Sequence, residues 1–209
     1  TVDTAAIVNG FSGNITLNGH LGSSTVTVSA NDAVGTIATA ANLVTSSTGI
    51  TAEAKTYAEL AAVNNDGTVG FTLGGSSSAS ISAVVTTTDL TALKTSINSN
   101  AGTTGITAEF NGGDKSKLLL HSATGENISI LNYDHSTTSA TATFGSYDFD
   151  GASAVGSGIT LTDAAADSSV VTGALKFSSV KVFTHSHTTG KYYATSTSET
   201  GAINNISTI

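Results

Sequence analysis

The chain has 209 residues, a net charge of −8 and no cysteine, and its seven basic side chains are all lysine. Arginine is the preferred fork for phosphates and base edges, so this acidic, arginine-free composition argues against nucleic acid and against anionic membrane surfaces as partners. Disulfides and thiolate metal sites are excluded, and no apolar run approaches the ~18 residues of a membrane span.

Charged residues are 11% of the chain, against about a quarter in ordinary soluble domains. Serine and threonine fill the gap at roughly a third of the residues. Threonine with valine and isoleucine favours strands; serine, asparagine and glycine favour turns. Aromatics are only 6%, which suits two or three small cores better than one thick one. Proline is absent, so sheet edges must be protected by lysine, bulges or neighbouring chains. The first residue is Thr1 and no basic n-region precedes an apolar run, as expected of a fragment or processed product.

In chain order, residues 1–12 read as an approach to the first folded module. From Asn14 an internal repeat begins, with a period of about 56 residues. Ile15-Thr16-Leu17-Asn18-Gly19 matches Phe71-Thr72-Leu73-Gly74-Gly75, Val34 and Ile37 match Leu90 and Leu93, and Ala41-Asn42 matches Ile97-Asn98. The run TGITAE from Thr48 to Glu53 recurs unchanged from Thr104 to Glu109. Each copy reads as a strand, a glycine turn, a second alternating strand, a short helix and a further strand. The second strands (Val26 and Val28; Ile81 and Ala83) are one residue out of phase, which predicts a bulge or a single insertion near Gly74 to Ser78.

In the second copy Leu90, Leu93 and Ile97 lie at i, i+3 and i+7 on one helical face, with Thr88 or Asp89 as N-cap and Gly102 as the stop. In the first copy Asp32 is the expected cap, and Gly35 weakens the helix by ~1 kcal/mol relative to alanine. After Ile106, Ala108 and Phe110 the second copy enters a hairpin through Asn111-Gly112-Gly113-Asp114, with Lys117 to His121 as the return strand. A turn at Thr124 to Asn127 leads into Ile128 to Ile130. The first copy shows no such tail: Tyr57 to Val63 runs directly into the second copy. From Thr137 onward Thr141 to Phe149, Ile159 to Leu161, Ala174 to Val182 and Tyr192 to Thr195 read as strands punctuated by glycine, and Thr200 to Ile209 as an exit from the domain. The expected fold is α+β and β-rich: two tandem strand–strand–short helix–strand modules, 14–66 and 67–136, followed by a mainly β unit, 137–209.

The stretch Asp89-Leu90-Thr91-Ala92-Leu93, Ser96-Ile97-Asn98 and Thr104-Gly105-Ile106-Thr107-Ala108 resembles the IN motif of bacterial flagellins. That motif takes its name from an Ile-Asn pair, which is followed by a Gly-Ile-Thr-Ala strand and a Lys-Leu-Leu-Leu strand. Here these are Ile97 and Asn98, then Gly105, Ile106, Thr107 and Ala108, then Lys117 to Leu120; Gly125 to Ile128 fits the closing turn. The first copy departs from it, with Ala41-Asn42 in place of Ile-Asn and no closing hairpin. Thr56 to Ala58 and Thr68 to Leu73 also look like flagellin outer-domain sequence, whereas residues 137–209 carry no recognised motif.

The resemblance implies a structural, extracellular role: a solvent-exposed outer domain of flagellin on the surface of the bacterial flagellar filament, serving motility. Its implied partners are neighbouring flagellin subunits, joined through terminal helices absent from this chain and through weak lateral outer-domain contacts. Filament-cap and hook-associated proteins carry the same motif and are the alternative reading; a cell-surface adhesin module is a further one. Glycans on surface hydroxyls are also implied, with Ser76, Ser77, Ser78, Ser136, Thr137 and Thr138 as candidate positions.

No residue set points to catalysis, a cofactor or a metal. His185 and His187 alternate in HSH, but a metal site needs a third ligand, and they read as a solvated strand face. There is no H-E-x-x-H. Asp148-Phe149-Asp150-Gly151 looks like the start of a calcium loop, but Ala152 and Ile159 stand where ligands are required, so a turn is expected. No G-x-S-x-G elbow and no phosphate-binding glycine loop occurs. Sequons stand at Asn14, Asn127 and Asn205. Phe144, Tyr147, Phe149, Tyr192 and Tyr193 are the one aromatic group that a glycan-binding reading could use; as core residues they would fill the third unit.

Overall fold

A computed structural model describes residues 13–187 and 199–201. The described residues divide into two compact units: one is Lys55–Ala174, and the other joins residues 13–54 with the described residues from Leu175 onward.

The unit Lys55–Ala174 contains two antiparallel sheets. The β-rich character follows from alternation. Along β4 (Gly67–Gly74), Val69, Phe71 and Leu73 point inward and Thr68 and Thr72 outward. Its partner β5 (Ser78–Val85) buries Ile81 and Val85 and exposes Ser78, Ser80 and Ser82. On the other side of β4 lies β8 (Ile128–His135), edged by β11 (Ser169–Val171). The second sheet is ordered β10 (Ala154–Thr162), β9 (Thr141–Tyr147), β3 (Thr51–Ala61), β7 (Lys117–Ser122), β6 (Ile106–Phe110).

Between β5 and β6 the chain forms α3 (Thr91–Ser99) and a single turn, α4 (Ala101–Thr104). Leu90, Leu93 and Ile97 are fully buried in a core with Leu73, Ile81, Ile106, Leu118, Leu120 and Phe144. Each such side chain contributes ~1.5–3 kcal/mol by leaving water. Asp89 does not act as N-cap residue; Leu90 occupies that position, while the Asp89 carboxylate accepts from the Thr91 N–H at 2.8 Å. Hydrogen bonding from the Thr91 hydroxyl, with its N–H adding to it, holds the Asp89 carboxyl below its usual range. Gly102 does not stop the helix either. It lies inside α4, and Gly105, left-handed at φ 71°, ends it.

In the smaller unit, β1 (Gly13–Asn18) pairs with β2 (Ser23–Val28) and with β13 (Phe183–His187), which pairs with β14 (Glu199–Gly201). Against this sheet lie α1 (Val34–Leu43) and α2 (Thr45–Thr48). Ile15, Leu17, Val26, Val28, Ile37, Ala41, Ile50 and Phe183 form the core. Asp32 does not cap α1; its carboxylate accepts from Ser29 N–H at 2.7 Å. The first residues of β3, Thr51 to Ala54, belong to this unit and pair with β12 (Ala174–Ser178).

Four strands of one unit repeat four strands of the other. The order β14-β13-β1-β2 in one has its counterpart in β11-β8-β4-β5 in the other. The registers agree: Leu17 faces His185 as Leu73 faces Ile130, and His185 faces Glu199 as Ile130 faces Ser169. The start of β3 with β12 corresponds to β6 with β7, and Thr51 Oγ1 donates to Ser178 O (3.3 Å) as Thr107 Oγ1 donates to His121 O (3.5 Å). The first copy therefore does have a return strand, Ala174–Ser178, which comes far along the chain and not through a hairpin. The tandem division 14–66, 67–136 and 137–209 differs from this packing: β9 to β11 lie in the same unit as β4 to β8, and the described residues from Leu175 onward lie with β1 and β2.

The one-residue phase offset lies in the turns and not in a bulge. Four residues (19–22) join β1 to β2, three (75–77) join β4 to β5, and both hairpins run in unbroken register. His185 and His187 do not form a solvated face. They stand opposite Leu17 and Ile15, on the core-facing side, half-buried, with the His185 ring 5.7 Å from Phe177. Of the aromatic group, Phe144 is core, Tyr147 and Phe149 are half-buried, and Tyr192 and Tyr193 lie outside the described residues.

Candidate functional site: an asparagine clamp in each repeat

The residues of the Ile-Asn motif converge on one local device. Ile97 points into the core while its neighbour Asn98, one step round the helix, emerges at the edge of the sheet. Strand β6 pairs with β7 on one side only. On its other side Asn98 Nδ2 donates to Ala108 O (2.9 Å), and Ala108 N–H donates to Asn98 Oδ1 (2.8 Å). A primary amide has the same donor and acceptor as a peptide group, so Asn98 takes the place of a neighbouring strand and closes an edge that would otherwise offer free backbone groups.

The turn after α4 is fixed in the same manner. Thr104 Oγ1 donates to Asn100 O (3.1 Å) and accepts from Ile106 N–H (3.2 Å), and the Thr104 side chain is fully buried. Gly105 supplies the left-handed residue that lets the chain leave α4 directly into β6. Ser76 N–H donates to Thr104 O at 2.9 Å. A side chain at Gly75 would collide with that carbonyl. Thr107 faces outward and Ile106 inward.

The first copy reproduces the clamp, the threonine bonds, the left-handed glycine and the close approach of a glycine to the threonine carbonyl. Asn42 Nδ2 donates to Ala52 O and Ala52 N–H to Asn42 Oδ1, both at 2.8 Å. Thr48 Oγ1 bonds Val44 O and Ile50 N–H at 3.0 and 3.2 Å. Gly49 is left-handed at φ 72°, and a side chain at Gly19 would strike Thr48 O. The clamp therefore needs the asparagine, and alanine at position 41 suffices where the second copy has Ile97.

A second polar group lies on the outer face of the larger unit. Glu59 accepts from Tyr147 Oη at 3.0 Å and from Asn111 Nδ2, which also bonds Tyr147 Oη at 2.7 Å. Burial, with Glu59 adding to it, pushes the Tyr147 phenol up. Beside it Tyr57 and His121 stack at 4.2 Å with 11° between planes, and Lys55 lies 4.8 Å over the Phe149 ring. Burial, reinforced by the Lys55 charge and opposed by Glu109, lowers the His121 pKa. Glu59, Asn111 and Tyr147 satisfy one another and hold the hairpin tip and β9 onto the sheet, whereas the buried His121 Nε2 has no hydrogen-bond partner. A shallow cleft of about 380 Å³ next to them is lined by Phe144, Tyr147, Val155, Ile159, Ser169 and Val170 among others.

Asp148 to Gly151 form a tight turn, with Ala152 N–H bonded to Asp148 Oδ1 at 2.8 Å and Gly151 against the Tyr57 ring. Among the described residues no group of three or more histidine or carboxylate side chains is arranged to hold a metal. Ser76, Ser77, Ser78, Ser136, Thr137 and Thr138 are all exposed. Of the sequons, Asn14 is exposed on β1, Asn127 is half-buried, and Asn205 lies outside the described residues. The clamp's partner atoms on Ala52 and Ala108 are the part that sequence reasoning missed; the signal was an asparagine ten residues before an alanine in both copies.

No curated protein matches the chain. Residues 14–72 match the family model described as the flagellin hook IN motif, a span that runs from β1 into β4 and includes the first of the two clamps. Over that module the chain is similar to the flagellin hook IN motif.

Proposed function

We propose that this chain is a solvent-exposed outer domain of flagellin, displayed on the surface of the bacterial filament, with no catalytic role. The observation that supports this reading most is the paired asparagine clamp: the motif residues are spent on closing the module's own sheet edge and build no reaction centre. The exposed sheet faces fit the same reading. Thr16, Thr25, Asn18 and Ser23 bond to one another across β1 and β2 and present hydroxyls and amides to solvent. Such a surface makes weak lateral contacts with neighbouring subunits and stays soluble outside the cell.

The hydroxyls of Ser76 to Ser78 and Ser136 to Thr138 stand on exposed turns and are the proposed glycan acceptors. An intact mass equal to that of the bare polypeptide, measured on protein from the native organism, removes that part of the proposal. The placement is tested by immunogold electron microscopy of whole cells with antibody against this chain. Gold along the whole filament is the expected result. Gold confined to the tip or hook assigns the chain to the cap or hook-associated proteins instead, and gold over the cell body assigns it to a surface adhesin.

A further inference from the structure

We infer that Asn111 is a covalent modification site: its side-chain amide is lost to attack by the Gly112 nitrogen, Glu59 and Tyr147 set the pace by holding it, and the carboxylate that results releases the β6–β7 tip from the sheet.

The chemistry needs an asparagine whose following residue does not crowd the ring that forms. The backbone nitrogen of that residue gives up its proton to base and attacks the asparagine Cγ. The new N–Cγ bond forms, the Cγ–Nδ2 bond breaks, and Nδ2 leaves as ammonia with a proton from water. Water then opens the succinimide at either carbonyl, giving aspartate or isoaspartate. Glycine, with no Cβ, leaves the nitrogen most accessible and the backbone most free to turn. Among the described residues two asparagines precede glycine, Asn18 and Asn111. Asn9, before Gly10, lies outside them.

The structure separates the two. Asn18 ends β1 in register with Ser23, and its Oδ1 accepts from Ser23 Oγ at 2.7 Å. The attacking group there, the Gly19 N–H, is bound to Gly22 O at 2.9 Å, and the turn is packed so closely that a Cβ at Gly19 would meet Thr48 O. Asn111 stands past the end of β6. Gly112 and Gly113 are exposed, at φ 59° and 80°, with open space around both. The Gly112 N–H donates to no group among the described residues. What restrains Asn111 is its own side chain, whose Nδ2 donates to Glu59 Oε2 and, at 2.7 Å, to Tyr147 Oη.

The leaving group is thus the group that is held. Nδ2 reaches over the sheet to β3 and β9, and Cγ turns to meet the Gly112 nitrogen once those bonds open. The product cannot remake them, because a carboxylate has no N–H. Conversion brings two carboxylates and one phenol together, and the single Tyr147 proton is already donated to Glu59 at 3.0 Å. Like charges at that distance disfavour each other, so the exposed tip swings away.

The full chain is incubated in mildly alkaline buffer made with heavy-oxygen water, both folded and in urea, and its peptides are mapped by mass spectrometry. In urea Asn18 and Asn111 are expected to convert at similar rates. In the folded chain Asn111 converts more slowly than in urea, and Asn18 more slowly still. Folded-state conversion at Asn18 that equals or exceeds that at Asn111, including none at either, overturns the assignment. Tyr147→Phe keeps the ring and removes one of the two bonds, so conversion at Asn111 should rise several-fold relative to Asn18, with hydrogen-exchange protection at Leu118 to Leu120 kept. If that protection is lost, Glu59→Gln, which weakens the other bond, replaces it. An unchanged rate overturns the role of the two partners. The converted chain, separated by ion exchange, should exchange faster over residues 111–116 alone; parent-like exchange there overturns the release of the tip.

Discussion

Asn98 and Ala108 exchange two hydrogen bonds, 2.9 Å from Nδ2 to O and 2.8 Å from N to Oδ1, so one side chain stands in for a strand at the edge of a sheet. The same pair of bonds joins Asn42 to Ala52. Asn98→Ala removes both and leaves the nearly buried Ala108 backbone unpaired. The expected loss is about 1–2 kcal/mol, read as a lower urea midpoint with unchanged slope. Asn98→Asp loses at least as much at pH 7, because a carboxylate then faces the Ala108 carbonyl. Parent-like midpoints for both variants would show that the clamp carries no stability.

Three glycines of the second module are predicted to respond differently to alanine. Gly105 is left-handed at φ 71°, so Gly105→Ala costs about 1–2 kcal/mol. Gly75→Ala costs more, since the new methyl meets backbone and not a flexible side chain. Gly102 lies within α4 with open space around it, so Gly102→Ala stabilises by up to ~1 kcal/mol. Thermal melts of the three variants rank them, and a destabilised Gly102→Ala would contradict its placement in the helix.

Tyr133 is 1% exposed and its hydroxyl has no partner. Burial, with the nearby Asp163 charge adding to it, pushes its phenol up to about 12. The sign follows from linkage. The folded state holds the proton more tightly, so the contribution is fully present below the unfolded value near 10 and is lost as pH rises through 12. Alkaline unfolding over that window should therefore be blunted in Tyr133→Phe. At neutral pH the same variant is expected to be as stable as the parent or more so, because it deletes an unpaired buried hydroxyl. A loss of several kcal/mol at pH 7 would show that the hydroxyl is bonded in solution.

His121 carries the opposite dependence. Its pKa is lowered by burial and by Lys55, so its contribution is present above the unfolded value near 6.5 and is lost as pH falls through the lower folded value. His121→Phe keeps a ring stacked on Tyr57 and removes the titration. Its urea midpoint should fall less between pH 7 and 5 than that of the parent, and an identical fall in both proteins would assign the acid sensitivity elsewhere.

The local pattern of this protein was legible in its residues. Alternation marked β4 and β6, the spacing of Leu90, Leu93 and Ile97 marked a helix face, and the repeated TGITAE marked the two turns that Gly49 and Gly105 close. Period and propensity act over a few residues, so a single copy of the sequence contains them. Helix ends were less legible: Asp32 and Gly102 looked like boundary signals, but Asp32 bonds Ser29 and Gly102 continues the helix in α4.

Which strands share a sheet was decided by tertiary structure alone. The return strand of the first module, Ala174–Ser178, has no local mark tying it to Thr51 to Ala54, because pairing depends on closing a loop through the whole of the larger unit. The same distance hid the setting of His185, which looked like one of two solvated histidines. It lies on the core-facing side because its strand pairs in register with Leu17. Burial is a property of the partner strand, and the partner is far away in the chain.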